Sequence, residues 1–204
     1  MRVAIVDYGA GNIASVKNAL LAVGAEGILV DSPARLFDFA RVIVPGVGAF
    51  GAAMQALRAK GFEPALRDYA QSTNEGENAL FGICLGMQLL FDVSYEFGEH
   101  AGLGIVAGEV VPLQNAPKIP HMGWNQLHFV RDCALNVGLA PSEFLYFVHS
   151  YCVKPRDSAV IWAQTDYGQS FVSAIAQNRV YGLQPHPEKS HNIGLKILEN
   201  FIKN

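Results

Sequence analysis

The sequence predicts a three-layer α/β/α fold built on a mostly parallel open sheet with antiparallel additions. Three observations point to this fold class. The first half of the chain alternates short apolar runs with segments of helical spacing, which is the pattern of βαβ units. Half of its 204 residues are hydrophobic, enough for a core that covers both faces of a parallel sheet. After about Gly98 the strand-like runs follow one another without helices, which predicts antiparallel strands.

Turn residues and apolar spacing define the elements of the first half. Strand-like runs end where a turn residue enters, as at Asp7 and Pro45. Helix-like segments repeat apolar residues every three or four positions, as at Val16 and Leu20. The predicted strands are Val3–Val6, Ile28–Val30, Arg41–Val44 and Ala79–Ile83, and the predicted helices are Asn12–Val23, Ala49–Leu57, Pro64–Tyr69 and Met87–Phe91.

The second half reads as further strands of the same sheet and one terminal helix. The helix is predicted over Asn192–Ile202, where apolar residues again recur at helical spacing. No repeat, low-complexity stretch or long linker divides the chain, so we expect a single domain over residues 1–204. The predicted strands are Val106–Val111, Asn125–Phe129, Glu143–Val148, Val160–Thr165, Val172–Gln177 and Val180–Leu183.

Composition excludes several classes of partner. A net charge of −3 leaves no basic footprint for nucleic acid. No apolar run approaches the roughly 20 residues of a membrane span, and Met1–Asp7 reads as a first strand and not as a signal peptide. The odd cysteine count, Cys84, Cys133 and Cys152, is typical of free thiols in a reducing compartment. We therefore expect a cytoplasmic protein without nucleic-acid or membrane partners.

The segment around Cys84 carries the strongest chemical signal. It reads Gly82-Ile-Cys84-Leu-Gly86, directly after a predicted strand and before a predicted helix. Gly-x-Cys-x-Gly is the thiol form of the nucleophile elbow, in which a strand turns sharply into a helix. The glycines are expected to allow the tight turn, and the helix N-terminus to favour a thiolate. The alternative is a buried structural cysteine, and the motif alone leaves both interpretations open.

A base for this thiol is available in the turn after the last predicted strand. His186 and Glu188 stand two residues apart, with Pro187 stiffening the backbone between them. Ligands of open α/β sheets bind at the carboxyl ends of the strands, the edge where the turn after Leu183 meets Cys84. A carboxylate can orient an imidazole that activates a nucleophile. Alone, the pair is more typical of a solvated surface turn; beside the cysteine it favours a triad.

Acyl transfer also needs donors for an oxyanion. The backbone N–H of Leu85 directly follows the nucleophile, as in other elbows. A second donor is expected from the loop Pro45-Gly46-Val47-Gly48, because the glycines around Val47 allow its peptide to rotate. An ordinary Gly-rich turn from strand to helix would have the same spacing.

These segments resemble class I glutamine amidotransferases of the triad type. They are similar, more narrowly, to the glutaminase subunits of imidazole glycerol phosphate synthases, and the resemblance runs the whole length of the chain. The His-Met-Gly-Trp segment is its most specific part. The segments that carry the resemblance are the Cys84 element, the Pro-Gly-Val-Gly loop, Asp7-Tyr-Gly-Ala-Gly-Asn12, Pro120-His-Met-Gly-Trp-Asn125, Phe147-Val-His-Ser-Tyr151 and His186-Pro-Glu-Lys-Ser190.

The resemblance implies hydrolysis of L-glutamine. Cys84 would attack the side-chain amide to give a glutamyl thioester, His186 would move the proton to departing ammonia, and Glu188 would orient the histidine. The oxyanion positions would be Val47, Gly48 and Leu85, and the Val47 peptide is thought to turn before the hole is complete. The resemblance assigns substrate binding to Gly46, Gln88, Glu96, His149, Ser150 and Tyr151. It implies no cofactor and no metal.

The resemblance also implies a heterodimer with a (β/α)8-barrel cyclase. Ammonia would pass into that partner, which splits a phosphoribulosyl aminoimidazole carboxamide nucleotide into imidazole glycerol phosphate and the carboxamide ribotide of histidine biosynthesis. Core packing is the alternative for Met122 and Trp124. The residues that the resemblance assigns to the interface are Asn12, Lys118, Pro120, His121, Met122, Trp124 and Asn125.

One departure and three alternatives complete the sequence-based view. The family usually has an aromatic residue where this chain has Pro185, which stiffens the loop before His186. Gly9-Ala-Gly11-Asn-Ile-Ala14, with Asp31 about twenty residues later, also fits a dinucleotide-binding fingerprint. A paralogous glutaminase could feed ammonia to another acceptor. His191 alone would need further ligands to bind a metal.

Overall fold

The computed structural model describes residues 1–9, 11–74 and 76–204. Ala10, within the segment Asp7–Asn12, and Glu75 lie outside the described residues. The strands are β1 Arg2–Val6, β2 Glu26–Val30, β3 Arg41–Val44, β4 Ala79–Ile83, β5 Phe91–Ser94, β6 His100–Ala101, β7 Val106–Pro112, β8 His121–Phe129, β9 Ser142–His149, β10 Tyr151–Pro155, β11 Ile161–Asp166, β12 Ser170–Gln177 and β13 Val180–Leu183. The α-helices are α1 Ile13–Ala22, α2 Phe50–Ala59, α3 Phe62–Ser72, α4 Leu85–Leu89 and α5 His191–Lys203.

One mixed sheet organises the molecule. Its parallel part has the order β2-β1-β3-β4-β13. Beyond β13 the sheet continues through antiparallel β12, β10 and β7, with β11, β8 and β9 branching from β12. The predicted α/β class, with a parallel sheet and antiparallel additions, is confirmed.

Alternation along the strands divides the core into two layers. Val3 and Ile5 pack with α1 and α5 on one face of the sheet. Ala4 and Val6 pack with α2 and α3 on the other face. Successive strand side chains point to opposite faces, so a buried run such as that of β1 serves both layers.

The predicted strands Arg41–Val44, Ala79–Ile83 and Val180–Leu183 have the observed bounds. The predicted helix Met87–Phe91 is wrong in its extent, because α4 ends at Leu89 and Phe91 begins β5. The run through Leu89 and Leu90 is buried throughout, and apolar periodicity cannot separate a buried helix from a buried strand. Strand β5 was not predicted for the same reason, and β6, with two residues, is too short for a pattern. Strand β10 was not predicted either.

The pairing of β4 with β13 positions the site. These strands are parallel neighbours, with Ile83 opposite Leu183, so the turns that follow them leave from the same edge. The backbone N–H of Cys84 donates to the carbonyl of Leu183 at 2.8 Å.

Among the helices of the described ranges, none is long and apolar enough to cross a membrane.

Candidate functional site

Cys84 lies at the apex of a strained turn, as the single residue between β4 and α4. Its backbone has φ 55° and ψ −112°, a region that costs a non-glycine residue free energy and clusters at functional sites. Gly82 and Gly86 allow this turn without adopting unusual dihedrals themselves, since neither has a positive φ. They are required by close packing: a β-carbon on Gly86 would lie 1.8 Å from the Val44 carbonyl oxygen.

The helix after the elbow is as short as the sequence predicts, but it begins and ends two residues earlier. Helix α4 contains five residues, little more than one turn, so its dipole is smaller than that of a longer helix. Stabilisation of a thiolate at Cys84 must therefore come largely from side chains around the sulfur.

His186 and Glu188 form a buried hydrogen-bonded pair. The distance from His186 Nδ1 to Glu188 Oε1 is 2.7 Å, and each side chain is 2% exposed. The backbone N–H of His186 donates to the Tyr146 carbonyl at 2.9 Å, and Ser190 Oγ donates to the His186 carbonyl at 2.6 Å. These contacts fix the turn although Pro185 replaces the aromatic residue expected there. The solvated-turn interpretation of His186 and Glu188 is wrong.

The electrostatics of His186 suit a thiol–imidazole pair. Burial lowers the pKa of His186, but hydrogen bonds and charges from Cys84 and Glu188 outweigh burial and raise that pKa above its usual value. His186 Nε2 is buried and has no hydrogen-bond partner within the described ranges. This nitrogen is therefore available to exchange a proton with Cys84 or a ligand.

Two glutamines connect the sulfur to the opposite wall of the site. Gln184 Nε2 lies 3.6 Å from Cys84 Sγ, and its side chain is fully buried. Gln88 Nε2 donates to Gln184 Oε1 at 3.0 Å and to the Tyr151 carbonyl at 3.2 Å. Sequence reasoning missed Gln184. The available signal was an amide side chain directly after the apolar strand β13 and two residues before His186.

A cavity of about 330 Å³ opens over the sulfur, within the size range of small-molecule sites. All residues predicted to bind the substrate or the oxyanion line this cavity except Gly46. A β-carbon on Gly46 would lie 2.8 Å from Tyr8 Oη. Gly46 therefore acts through close packing. The lining consists of Val47, Gly48, Cys84, Leu85, Gln88, Glu96, Pro120, Val148, His149, Ser150, Tyr151 and His186.

The Pro45–Ala49 loop is held at both ends. Tyr8 Oη donates to the Pro45 carbonyl at 2.7 Å, and Glu96 accepts from the backbone N–H of Phe50 at 2.5 Å. Between these anchors Val47 is 46% exposed and Gly48 has a φ of 103°. Conformational freedom in this loop is therefore concentrated at the peptides around Val47 and Gly48.

His121 does not lie on the surface as the interface prediction requires. Its side chain is 2% exposed, and its Nδ1 lies 2.9 Å from His149 Nε2. His149 Nδ1 lies 2.8 Å from the Tyr151 carbonyl, while Asn125 Nδ2 lies 3.2 Å from His121 Nε2. Burial lowers the pKa of His121 to about 4 and that of His149 to about 3, so both rings are neutral at pH 7.

The remaining interface residues are at least partly accessible. Met122 is 61% and Trp124 47% exposed, so core packing, the alternative for these two, is wrong. Trp124 stacks on His191 with ring centroids 4.9 Å apart. Lys118 and Pro120 are exposed, Asn125 is half-buried, and Asn12 caps α1 through Ser15 N.

Within the described ranges, no group of three or more His, Cys, Asp or Glu could hold a metal.

Comparisons with known proteins agree with this geometry. Residues 4–204 match the family model described as "Glutamine amidotransferase class-I". The chain is 47% identical to "Imidazole glycerol phosphate synthase subunit HisH" of Sulfurimonas denitrificans, over 98% of this chain and 97% of that protein. It is 49% identical to the protein of the same name from Aquifex aeolicus, over 98% and 96%.

Solved structures share the fold. A crystal structure titled as a glutamine amidotransferase superposes with a TM-score of 0.76 at 24% identity, over 98% of this chain and 97% of that one. The structure of PurLQS from Thermotoga maritima gives 0.77 at 19% identity, over 99% and 97%.

Proposed function

Because this chain belongs to the class-I glutamine amidotransferase family, we propose that it is the glutaminase subunit of an imidazole glycerol phosphate synthase. It hydrolyses L-glutamine and passes the ammonia to a (β/α)8-barrel cyclase in histidine biosynthesis. The observation that carries this proposal is the buried His186–Glu188 pair beside an elbow cysteine. Relatives that bear the synthase name support the pathway. Its three free cysteines fit the cytoplasm as its compartment.

Catalysis begins with proton transfer from Cys84 Sγ to His186 Nε2. The thiolate attacks the carboxamide carbon of glutamine, and a tetrahedral intermediate forms. His186 then gives its proton to the departing nitrogen, so that ammonia leaves and a glutamyl thioester remains. Water, deprotonated by His186, cleaves the thioester to glutamate. Glu188 holds the Nδ1–H of the imidazole throughout and stabilises its protonated form.

Two backbone donors serve the oxyanion in this mechanism. The N–H of Leu85 follows the nucleophile, and the N–H of Val47 becomes the second donor after its peptide turns. The anchored loop supports such a turn, because its ends are tied to Tyr8 and Glu96 while its middle is exposed.

The amino-acid end of glutamine is assigned to Gln88, Glu96 and the His149–Tyr151 segment. The Gln88 amide nitrogen already donates to two oxygens, so its Oε1 is left to accept from the substrate ammonium. Glu96 supplies a carboxylate at the other side of the cavity.

The cyclase is proposed to contact the exposed apolar face of β8 and β9. Met122 and Trp124 point outward from β8, and Phe144 on β9 is 55% exposed. Exposed apolar groups gathered on one face mark protein interaction sites. The adjoining Pro120 lines the cavity, so this face leads to the place where ammonia is released. Lys118, Asn12 and Asn125 complete the proposed contact at its rim.

The decisive experiment measures synthase activity of the reconstituted complex with glutamine and, separately, with ammonium. Cys84→Ala should abolish glutamine-dependent product formation and leave the ammonium-dependent rate unchanged. Cys133→Ala, a change outside the cavity, serves as the matched control. A glutamine-dependent rate retained in Cys84→Ala would contradict the nucleophile assignment. Robust glutaminase activity without coupling to the cyclase would instead favour a paralogue with another acceptor.

A second measurement tests the gating by Val47. The isolated chain should hydrolyse glutamine slowly, and addition of the cyclase with its nucleotide ligand should accelerate the reaction at least tenfold. Full-rate hydrolysis by the isolated chain would show that the oxyanion site is already complete.

A further inference from the structure

The fully buried amide of Gln184 has no role in the mechanism described so far. It follows β13 and lies against the sulfur of Cys84, with Nε2 3.6 Å from Sγ. We propose that Gln184 is a catalytic residue that donates a hydrogen bond to Cys84 Sγ and stabilises the thiolate form of the nucleophile. This inference rests on the proposed function and adds a fourth side chain to its Cys–His–Glu triad.

The neighbouring groups determine which atom of the Gln184 amide faces the sulfur. The Tyr151 carbonyl can only accept, so the atom of Gln88 that contacts it must be the amide nitrogen. That same nitrogen lies 3.0 Å from Gln184 Oε1, which must therefore be an oxygen. The NH₂ group of Gln184 is consequently the one directed at Sγ.

The Tyr151 carbonyl that fixes Gln88 is itself fixed from the other side. It accepts from His149 Nδ1, so the neutral ring of His149 carries its proton there and accepts at Nε2. His121 must then donate from Nδ1 and accept at Nε2 from Asn125. Asn125 thus donates to His121, His121 to His149, and His149 to the Tyr151 carbonyl. This chain of hydrogen bonds holds in place the carbonyl that orients the two glutamines.

Burial gives this arrangement its chemical value. An amide without a partner would cost free energy at a fully buried position, and the sulfur is the acceptor that Gln184 Nε2 has. A hydrogen bond to an anion is roughly twice as strong as one to a neutral group. Gln184 therefore favours the thiolate over the thiol, both before attack and when water expels the sulfur from the thioester. Unlike a second base, the amide does not compete for the proton that His186 takes.

The test is the pH dependence of Cys84 alkylation in the full chain. Alkylation is carried out with iodoacetamide and is measured at Cys84 by peptide mass analysis. Gln184→Met keeps the volume and removes the donor. Gln184→Glu keeps the oxygen that accepts from Gln88 and turns an acceptor toward the sulfur. Gln177→Met, an exposed position on β12, is the matched control. We expect the pH midpoint of alkylation to rise by about one pH unit in Gln184→Met, which corresponds to a tenfold smaller thiolate fraction below the midpoint. In Gln184→Glu we expect a larger rise.

Activity in the complex gives a second readout. Glutamine-dependent kcat should fall about tenfold or more in Gln184→Met, with the ammonium-dependent rate little changed. An alkylation profile of Gln184→Met that coincides with that of Gln177→Met would overturn the proposal. If wild type itself lacked glutaminase activity, the proposed function would fail while the alkylation shift still tested the donor.

A measurement on the unchanged protein covers the case in which the variants do not fold. The side-chain amide protons of Gln184 should shift in NMR spectra when Cys84 is titrated or alkylated, because their acceptor changes. Amide resonances that stay constant through both changes would refute the hydrogen bond.

Discussion

Replacing His121 by phenylalanine tests the neutral histidine pair beneath β8. The ring of His121 stacks on Tyr167 at 3.9 Å and on Phe147 at 4.8 Å between centroids, and a phenyl ring keeps these contacts. The variant loses the hydrogen bond to His149 Nε2. Leaving that buried acceptor unpaired should lower the free energy of unfolding by about 1–3 kcal/mol at pH 7.5.

The pH dependence gives the sharper result. The pKa of His121 is about 4 in the folded chain and 6.5 in the unfolded chain, so between these values unfolding takes up a proton. The stability that this shift contributes is fully present above pH 6.5 and is lost as the pH falls toward 4. One proton corresponds to 1.36 kcal/mol per pH unit, and the interval amounts to about 3 kcal/mol.

The assay is urea unfolding of wild type and His121→Phe at pH 7.5, 6.5, 5.5 and 4.5. The stability difference between them should shrink as the pH falls below 6.5, because only wild type still loses the His121 contribution. His128→Phe, an exposed position on the same strand, controls for removing a histidine from the unfolded chain. A constant difference between wild type and His121→Phe across this range would refute the assignment of a neutral buried His121.

Three further substitutions test other parts of the site. Gly86→Ala should destabilise the fold by about 3 kcal/mol or more, since its β-carbon would lie 1.8 Å from the Val44 oxygen; a melting temperature like that of Gly76→Ala would contradict the close-packing argument. Glu188→Gln should lower glutamine-dependent kcat about tenfold or more, because the imidazolium of His186 loses its charged partner; an unchanged pH–rate profile would speak against this. Trp124→Ala should weaken cyclase binding about tenfold, as measured by calorimetric titration with Val130→Ala as the exposed control. Equal cyclase affinities of Trp124→Ala and Val130→Ala would exclude Trp124 from the interface.

The sequence predicted those features that depend on local residue order. β3, β4 and β13 were predicted at their observed bounds because Pro45, the elbow motif at Cys84 and Pro185 follow their apolar runs. The Cys84 and His186 turns follow from those ends. Gln184 and the His121–His149 pair were not predicted. Their contacts depend on the register of β8 against β9 and of β13 beside β4, and periodicity does not determine which residues lie opposite each other.

The strained dihedrals of Cys84 occur where an elbow motif places its nucleophile. The close packing of Gly86 against Val44 could not be predicted, because it depends on tertiary structure. The prediction for His121 was wrong for a related reason. A strand that crosses from surface to core alternates its side chains, so Met122 and Trp124 face outward while His121 faces inward.

The position of β13 has a consequence for how the enzyme matures. This strand is inserted between β4 and β12, although it is translated about a hundred residues after β4. The parallel pairing of β4 and β13 is therefore among the most non-local contacts in the chain, and such contacts form slowly. Until β13 is inserted, Cys84 lacks both His186 and Gln184. Activity therefore requires this long-range pairing, so glutamine turnover by the refolding complex should report when β13 has joined the sheet.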